Sequence, residues 1–221
     1  MPFDSLIQIE ENRRLGEGAF VVSFRSPTLA AETLPGQFVM LGFPGASEPL
    51  LRRPYSLYQV GRGGPDLCEV QYKIVGQGTA RLAGMRAGEK LTCLGPLGVA
   101  FHLPPRDRAP LLVAGGIGIA GLMHLGNALL EAGREPRLLY GCRGREDLEL
   151  TEGFHHANIP VDYATEDGSR GLHGRVTALL EPALAAGGVE VFACGPGPML
   201  HAVAQSTAGR LPCQVSMESH M

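Results

Sequence analysis

A chain of 221 residues holds one large domain or two of ordinary size, and 44% hydrophobic with 19% charged residues suits a packed core. A formal net charge of -3 excludes a general basic field for nucleic acid; the pair Arg52–Arg53 is no polyanion-binding surface. Five cysteines without a CxxC pair give neither a disulfide framework nor a metal signature, and they point to reduced thiols in the cytoplasm.

The opening segment MPFDSLIQIEENRRLGEGAF carries acidic groups early and no continuous apolar run, which makes a poor secretion signal. From there to residue 104 the chain consists of short alternating runs closed by glycine and proline. LIQIEENRRLG, AFVVSFRSP, GQFVMLGFPG, RPYSLYQV, LCEVQYKIV and EKLTCLGPLG each fit a strand ended by a turn. Only TARLAGMRAG, residues 79–88, reads as a short helical connection. Strands of this number and length make a sandwich or a small barrel, and closure is preferred because it removes exposed edges. Residues 1–104 are therefore expected to form a small antiparallel β-barrel.

The grammar changes at LPPRDRAP, residues 103–110, a polar and proline-rich link. LLVAGG reads as a strand and IAGLMHLGNALLEAG as a helix. PRLLYGC is strand-like, REDLELTEGFHH contains a helix, and IPVDYATE is strand-like again. GRVTALLEPALAAG is a helix, VEVFACG a strand, PMLHAVAQSTAG a helix and CQVSME a last strand. Apolar strands alternating with helices predict a parallel sheet covered on both faces over residues 105–221. The long apolar stretch Ala109–Leu130 is rich in glycine and broken by His124 and Asn127, so it is not read as a membrane span.

Three segments carry candidate chemistry. In LLVAGGIGIAGLMHL, Gly115, Gly116 and Gly118 end a strand and open a helix, where a bare backbone and free N–H groups can receive a pyrophosphate. The string is not a strict GxGxxG, and a tight structural turn accounts for it as well. In VFACGPGPMLHAV, Cys194 and Gly195 lie at the carboxyl end of a strand, where open parallel sheets bind ligands. There, too, a small buried thiol and a stiff turn are an alternative. In LLRRPYSLYQV, Arg53 offers a planar fork to phosphate, Ser56 a hydroxyl, and Tyr55 a ring that can face an aromatic ligand. An edge strand with surface arginines has the same spacing.

RPYS (53–56), YKIVGQGT (72–79), GPLG (95–98), GGIG (115–118) and CGPGPM (194–199), taken in this order across residues 5–218, resemble the ferredoxin reductase family. Within it they are most similar to the electron-transfer subunits of NAD-dependent dihydroorotate dehydrogenases, enzymes of pyrimidine biosynthesis. The resemblance implies an FAD-binding barrel over 1–104 and an NAD(P)-binding α/β domain over 105–221. It places Arg53, Pro54, Tyr55 and Ser56 on the flavin and its phosphate, and Gln71, Tyr72 and Lys73 along the flavin or its ribityl-phosphate arm. Gly78 and Thr79 would close on the pyrophosphate, although Thr79 is equally a cap for the short helix. Gly115, Gly116 and Gly118 would take the nicotinamide dinucleotide, Thr165 would border the nicotinamide, and Cys194 with Gly195 would lie beside it. Cys194 is the residue expected nearest the reaction, shaping the nicotinamide pocket.

The acidic pair Glu146–Asp147 favours NAD over NADP. Family members continue past a VSLEERM-like string into a cysteine-rich segment holding a [2Fe-2S] cluster; here the string is QVSMESHM and no ligands for that cluster are evident. Gly121 stands where family members often carry proline. What the resemblance implies is a FAD-containing, NAD(P)H-linked oxidoreductase component that exchanges electrons with a separate catalytic subunit. A general NAD(P)H:acceptor or ferredoxin-type reductase component, and a nucleotide-binding regulatory module without efficient redox activity, are the alternatives. No nucleic acid and no membrane span are expected.

Overall fold

Alternation of inward and outward side chains organises the first part of the chain. In the computed structural model, which describes residues 2–45 and 51–217, the chain divides into a unit over Met1–Ala100 and a second over Phe101–Met221. The end of QVSMESHM, residues 218–221, lies outside the described residues.

The first unit contains β1 (Phe3–Gly16), β2 (Ala19–Arg25), α1 (Pro27–Glu32), β3 (Phe38–Gly42), β4 (Arg53–Ser56), β5 (Gln59–Val60), β6 (Leu67–Lys73), α2 (Gln77–Gly84) and β7 (Lys90–Leu97). They form one antiparallel seven-stranded sheet in the order β4-β3-β7-β1-β2-β6-β5. β1 and β2 meet through the two-residue turn Glu17–Gly18, where Gly18 has φ +69, a conformation that glycine adopts without steric cost. Inward residues such as Ile9, Val22, Phe24, Val39, Cys68, Val70 and Leu91 share one buried core.

The sheet curls into a half-barrel. β4 and β5 end the ladder, and no hydrogen-bonded pairing joins them among the described residues. Side chains narrow the gap: the ring of Tyr55 on β4 meets that of Tyr72 on β6 edge to face, with centroids 6.1 Å apart. RPYSLYQV is two short strands, because the Leu57 amide turns to the Gln37 carbonyl and the Tyr58 amide to Glu69. α1 was not anticipated. Its signals are local: Ser26 Oγ accepts from the Leu29 amide, Pro27 occupies the first turn, and Leu29 is buried. α2 begins at Gln77, two residues before the expected start.

The second unit contains β8 (Ala109–Gly115), a 3-10 turn (Gly116–Ile119), α3 (Ala120–Glu131), β9 (Arg137–Cys142), a second 3-10 segment (Arg145–Thr151) and α4 (Glu152–His156). β10 (Val161–Thr165), β11 (Leu172–His173), α5 (Thr177–Ala186), β12 (Val189–Cys194), α6 (Gly197–Thr207) and β13 (Cys213–Ser216) follow. All six strands are parallel, in the order β11-β10-β9-β8-β12-β13. β8, β9 and β12 are buried along nearly their whole length, which explains their continuous apolar runs.

The chain leaves β8 toward β9 and β10, then returns to place β12 on the other side of β8. That reversal makes the β8/β12 boundary the switch point of the sheet. The proline-rich link is pinned to this unit. Arg134 donates to the carbonyls of Pro104, Pro105 and Arg108, and Gln214 exchanges two hydrogen bonds with the His102 backbone. No helix among the described residues is long and apolar enough to cross a membrane.

Candidate functional site

Two glycine-bearing turns leave the carboxyl ends of β8 and β12, side by side at the switch point. A Cβ added at Gly118 would stand 2.6 Å from the Cys194 carbonyl oxygen and from Gly195 Cα. One at Gly115 would stand 2.5 Å from Met199 Sδ and 2.9 Å from Pro196 Cδ, and one at Gly195 would meet Met199 Cε at 2.8 Å. These three glycines let the turns pack onto each other, with the Met199 thioether filling the seam.

Gly116 and Gly197 differ. Each faces open space, and Gly116 has φ +52. Neither the 3-10 turn nor α6 has a side-chain cap at its amino end, and the amides of Gly116, Ile117 and Gly197 have no acceptor among the described residues. Uncapped donors on two adjacent turns, at the amino ends of a 3-10 turn and a helix, fit the pyrophosphate of a dinucleotide. Cys194 is 2% exposed at the end of β12, so its thiol is packed and only its surroundings face the crevice.

Thr165 ends β10 fully buried. Its hydroxyl accepts from the Arg170 amide at 3.0 Å and donates to the Arg170 carbonyl at 2.9 Å. The side chain ties its own turn, and the Thr165 carbonyl accepts from the Gly168 and Gly174 amides, so this position shapes the loop after β10. Nearby, Asp147 is buried, its carbonyl accepting from the Tyr140 hydroxyl. The acids that converge at this corner are Glu146 and Asp167, whose carboxylates lie 2.9 and 2.5 Å from where a Gly144 Cβ would stand. Ser169, whose amide donates to Asp167 Oδ1 at 2.9 Å, holds the Asp167 carboxyl below the usual carboxylate range.

In the first unit, β4 presents Arg53 and Pro54 exposed, Ser56 half-buried and Tyr55 buried at 9% exposure. The Arg53 guanidinium donates to the Leu51 and Arg52 carbonyls of its own segment and is otherwise open to solvent. Burial pushes the Tyr55 phenol up to about 12 against the opposing effect of Arg53, and its hydroxyl makes no hydrogen bond among the described residues. A neutral phenol beside an open guanidinium is a suitable edge for an aromatic ring system carrying phosphate.

β6 divides the expected trio. Tyr72 points into the core with Cys68 and Val70, stacked on Phe20 at 5.6 Å, its hydroxyl donating to Asn12 Oδ1. Gln71 and Lys73 lie on the opposite face, Gln71 buried and Lys73 half-buried. Gly78 is buried, and the Thr79 hydroxyl accepts from the Val75 and Gly76 amides at 2.8 and 3.1 Å. Thr79 therefore shapes the turn itself. It leaves the amides of Gln77 and Gly78 at the start of α2 without an acceptor among the described residues, an arrangement that fits a pyrophosphate.

The structure thus groups Arg53, Pro54, Tyr55 and Ser56 on β4, and Gly115, Gly116, Gly118, Cys194 and Gly195 at the switch point. Sequence reasoning missed Asn12, Asp167 and Met199. Met199 lay inside the CGPGPM string, but nothing in the string tells that it seals two turns. No group of His, Cys, Asp and Glu suited to a metal ion occurs among the described residues.

No family model matches the chain. It is 34% identical over 215 residues to the dihydroorotate dehydrogenase B (NAD(+)) electron transfer subunit of Geobacillus kaustophilus (strain HTA426), covering 96% of this chain and 82% of the relative. A solved NADH-dependent reduced ferredoxin–NADP oxidoreductase is similar with a TM-score of 0.83 and 26% identity, over 98% of this chain and 78% of that one. A ferredoxin NADP+ reductase from Neisseria gonorrhoeae, solved with bound FAD and NADP, shares the fold with a TM-score of 0.77 at 17% identity, over 97% and 99% of the two chains.

Proposed function

Because the chain belongs to the family of dihydroorotate dehydrogenase B electron transfer subunits, we propose that it passes electrons between a nicotinamide nucleotide and a partner oxidoreductase through FAD. The observation that carries this reading is the similarity to such a subunit over 96% of the chain. The partner is a catalytic subunit that oxidises dihydroorotate in pyrimidine biosynthesis. When bound, FAD would supply the chemistry: hydride exchange with the nicotinamide and one- or two-electron exchange with the partner.

The chain's own residues bind and orient. The half-barrel unit, read as the FAD domain, holds flavin phosphate with Arg53 and Ser56, sets Tyr55 against the ring, and turns the Gln77 and Gly78 amides toward the pyrophosphate. The parallel unit, read as the NAD(P) domain, receives the dinucleotide on the Gly116, Ile117 and Gly197 amides, where Gly118 lets the turn close, while Cys194 and Gly195 shape the end of β12. Glu146 and Asp167 place negative charge at the carboxyl ends of β9 and β10, which opposes a ribose phosphate and favours NADH over NADPH. Five free cysteines accord with a reducing, cytoplasmic setting.

An anaerobic visible titration of the FAD-loaded protein with NADH and then NADPH tests the reading. Bleaching at lower NADH than NADPH concentration is expected, with electron flux rising when the partner subunit is added. A folded protein that neither retains nor reduces flavin would instead identify a nucleotide-binding module.

A further inference from the structure

The Asn12 side chain on β1 is committed in three directions. Its Nδ2 donates to the Leu82 carbonyl at 2.8 Å and the Met85 carbonyl at 3.0 Å, and its Oδ1 accepts from the Tyr72 hydroxyl at 2.9 Å. The first two bonds reach the far end of α2. A helix leaves its last carbonyls unsatisfied, and one as short as α2 is not stable on its own. Leu82 anchors α2 in the core, and Asn12 caps its carboxyl end from a strand 70 residues earlier.

The turn at the other end of α2 is closed by the Thr79 hydroxyl on the Val75 and Gly76 amides, just after the Ile74 amide bonds the Gly18 carbonyl. The direction in which the Gln77 and Gly78 amides point depends on where the body of the helix is fastened: at Leu82 in the core, at Arg81 over the Phe43 ring, and at its carboxyl end by Asn12. We propose that Asn12 is a positioning residue for flavin binding: by clamping the carboxyl end of α2, it aims the amides at the opposite end toward the FAD pyrophosphate. This rests on the reading that the half-barrel unit binds FAD. Asn12 touches no cofactor; it acts through α2.

Asn12→Asp separates the clamp from the Tyr72 contact. The carboxylate still accepts from Tyr72 but has no N–H for Leu82 and Met85, and it sets negative charge against both carbonyls. Ile9→Val, which trims a buried side chain on the same strand without touching α2's cap, serves as the control for general destabilisation. Apoprotein of each is titrated with FAD by flavin fluorescence, and its melting temperature is recorded without flavin.

Asn12→Asp is expected to weaken FAD binding about tenfold, while Ile9→Val stays within about twofold of wild type for a comparable fall in melting temperature. Should Asn12→Asp not fold, Asn12→Ser retains one donor without the charge and is expected to lose about fivefold. Unchanged FAD affinity in the Asn12 variant, or an equal loss in Ile9→Val, overturns the inference while leaving the FAD reading intact. A folded wild-type protein that binds no FAD overturns the reading and the inference together.

Discussion

The two units use glycine near their candidate phosphate turns for different ends. In the half-barrel unit, Gly76 has open space around it, and the turn is closed by a side chain, the Thr79 hydroxyl on two amides. In the parallel unit, Gly115 and Gly118 are crowded to 2.5 and 2.6 Å by the neighbouring turn, Gly195 meets the Gly115 amide at 3.0 Å, and of these turn glycines Gly116 and Gly197 open outward. A glycine-rich string in a sequence thus pools two physical demands. Some glycines let backbone approach backbone, and others let a ligand approach backbone.

The largest effect should come from breaking the first demand. Gly118→Ala forces a methyl against the Cys194 carbonyl and Gly195 Cα, backbone that cannot swing aside. A stability loss of about 3 kcal/mol in urea unfolding is expected, together with loss of NADH binding. Gly197→Ala sharpens the contrast, since its methyl meets nothing within 4 Å of the protein. Stability should hold within about 0.5 kcal/mol while NADH affinity falls roughly tenfold. Equal stability losses in the two variants would end the distinction between packing glycines and ligand-facing ones.

Next in size is the half-barrel's own anchor. Among the described residues the Arg53 guanidinium donates only to carbonyls of its own segment, so Arg53→Ala should leave the melting temperature of the apoprotein nearly unchanged. Loss of a charged donor to phosphate should raise the FAD dissociation constant roughly thirtyfold, read by fluorescence titration. A large fall in melting temperature with normal FAD binding would make Arg53 a structural residue.

The architecture was legible because its signals were long and redundant. β8, β9 and β12 are continuous apolar runs, and the helices between them are periodic, so a parallel sheet followed. α1 and β11 were not read because six and two residues carry too little pattern, although Ser26 and Pro27 mark the start of α1. Strand alternation through Cys68, Val70 and Tyr72 could have turned the Tyr72 ring inward, away from Gln71 and Lys73. Asn12 could not have been found. A polar residue in a strand shows nothing of the helix end it caps 70 residues later.

A smaller change is expected at the end of β12. Cys194 is packed at 2% exposure beside the seam that Met199 fills, so shortening its side chain loosens the end of β12. Cys194→Ala should slow NADH oxidation roughly tenfold through looser alignment, with FAD still bound, in stopped-flow measurements. Unchanged kinetics would remove Cys194 from the site and leave it as core.

The smallest effect belongs to His124, on α3 of the parallel unit, and it asks whether that unit alone carries an acid sensitivity. Burial lowers its pKa from 6.5 to about 4, and Nδ1 has no hydrogen-bond partner among the described residues, so the ring is held neutral in the folded state. The unfolded chain binds the proton first as pH falls. The neutral ring's contribution is therefore complete above about pH 6.5 and is lost as pH drops through 4. Between about pH 7 and pH 5.5 the loss should be about 1 kcal/mol in urea unfolding, and His124→Leu should flatten that slope. In the half-barrel unit burial pushes Tyr55, Cys68 and Cys93 up to about 12, outside this window. A slope that persists in His124→Leu would trace the acid sensitivity to another group.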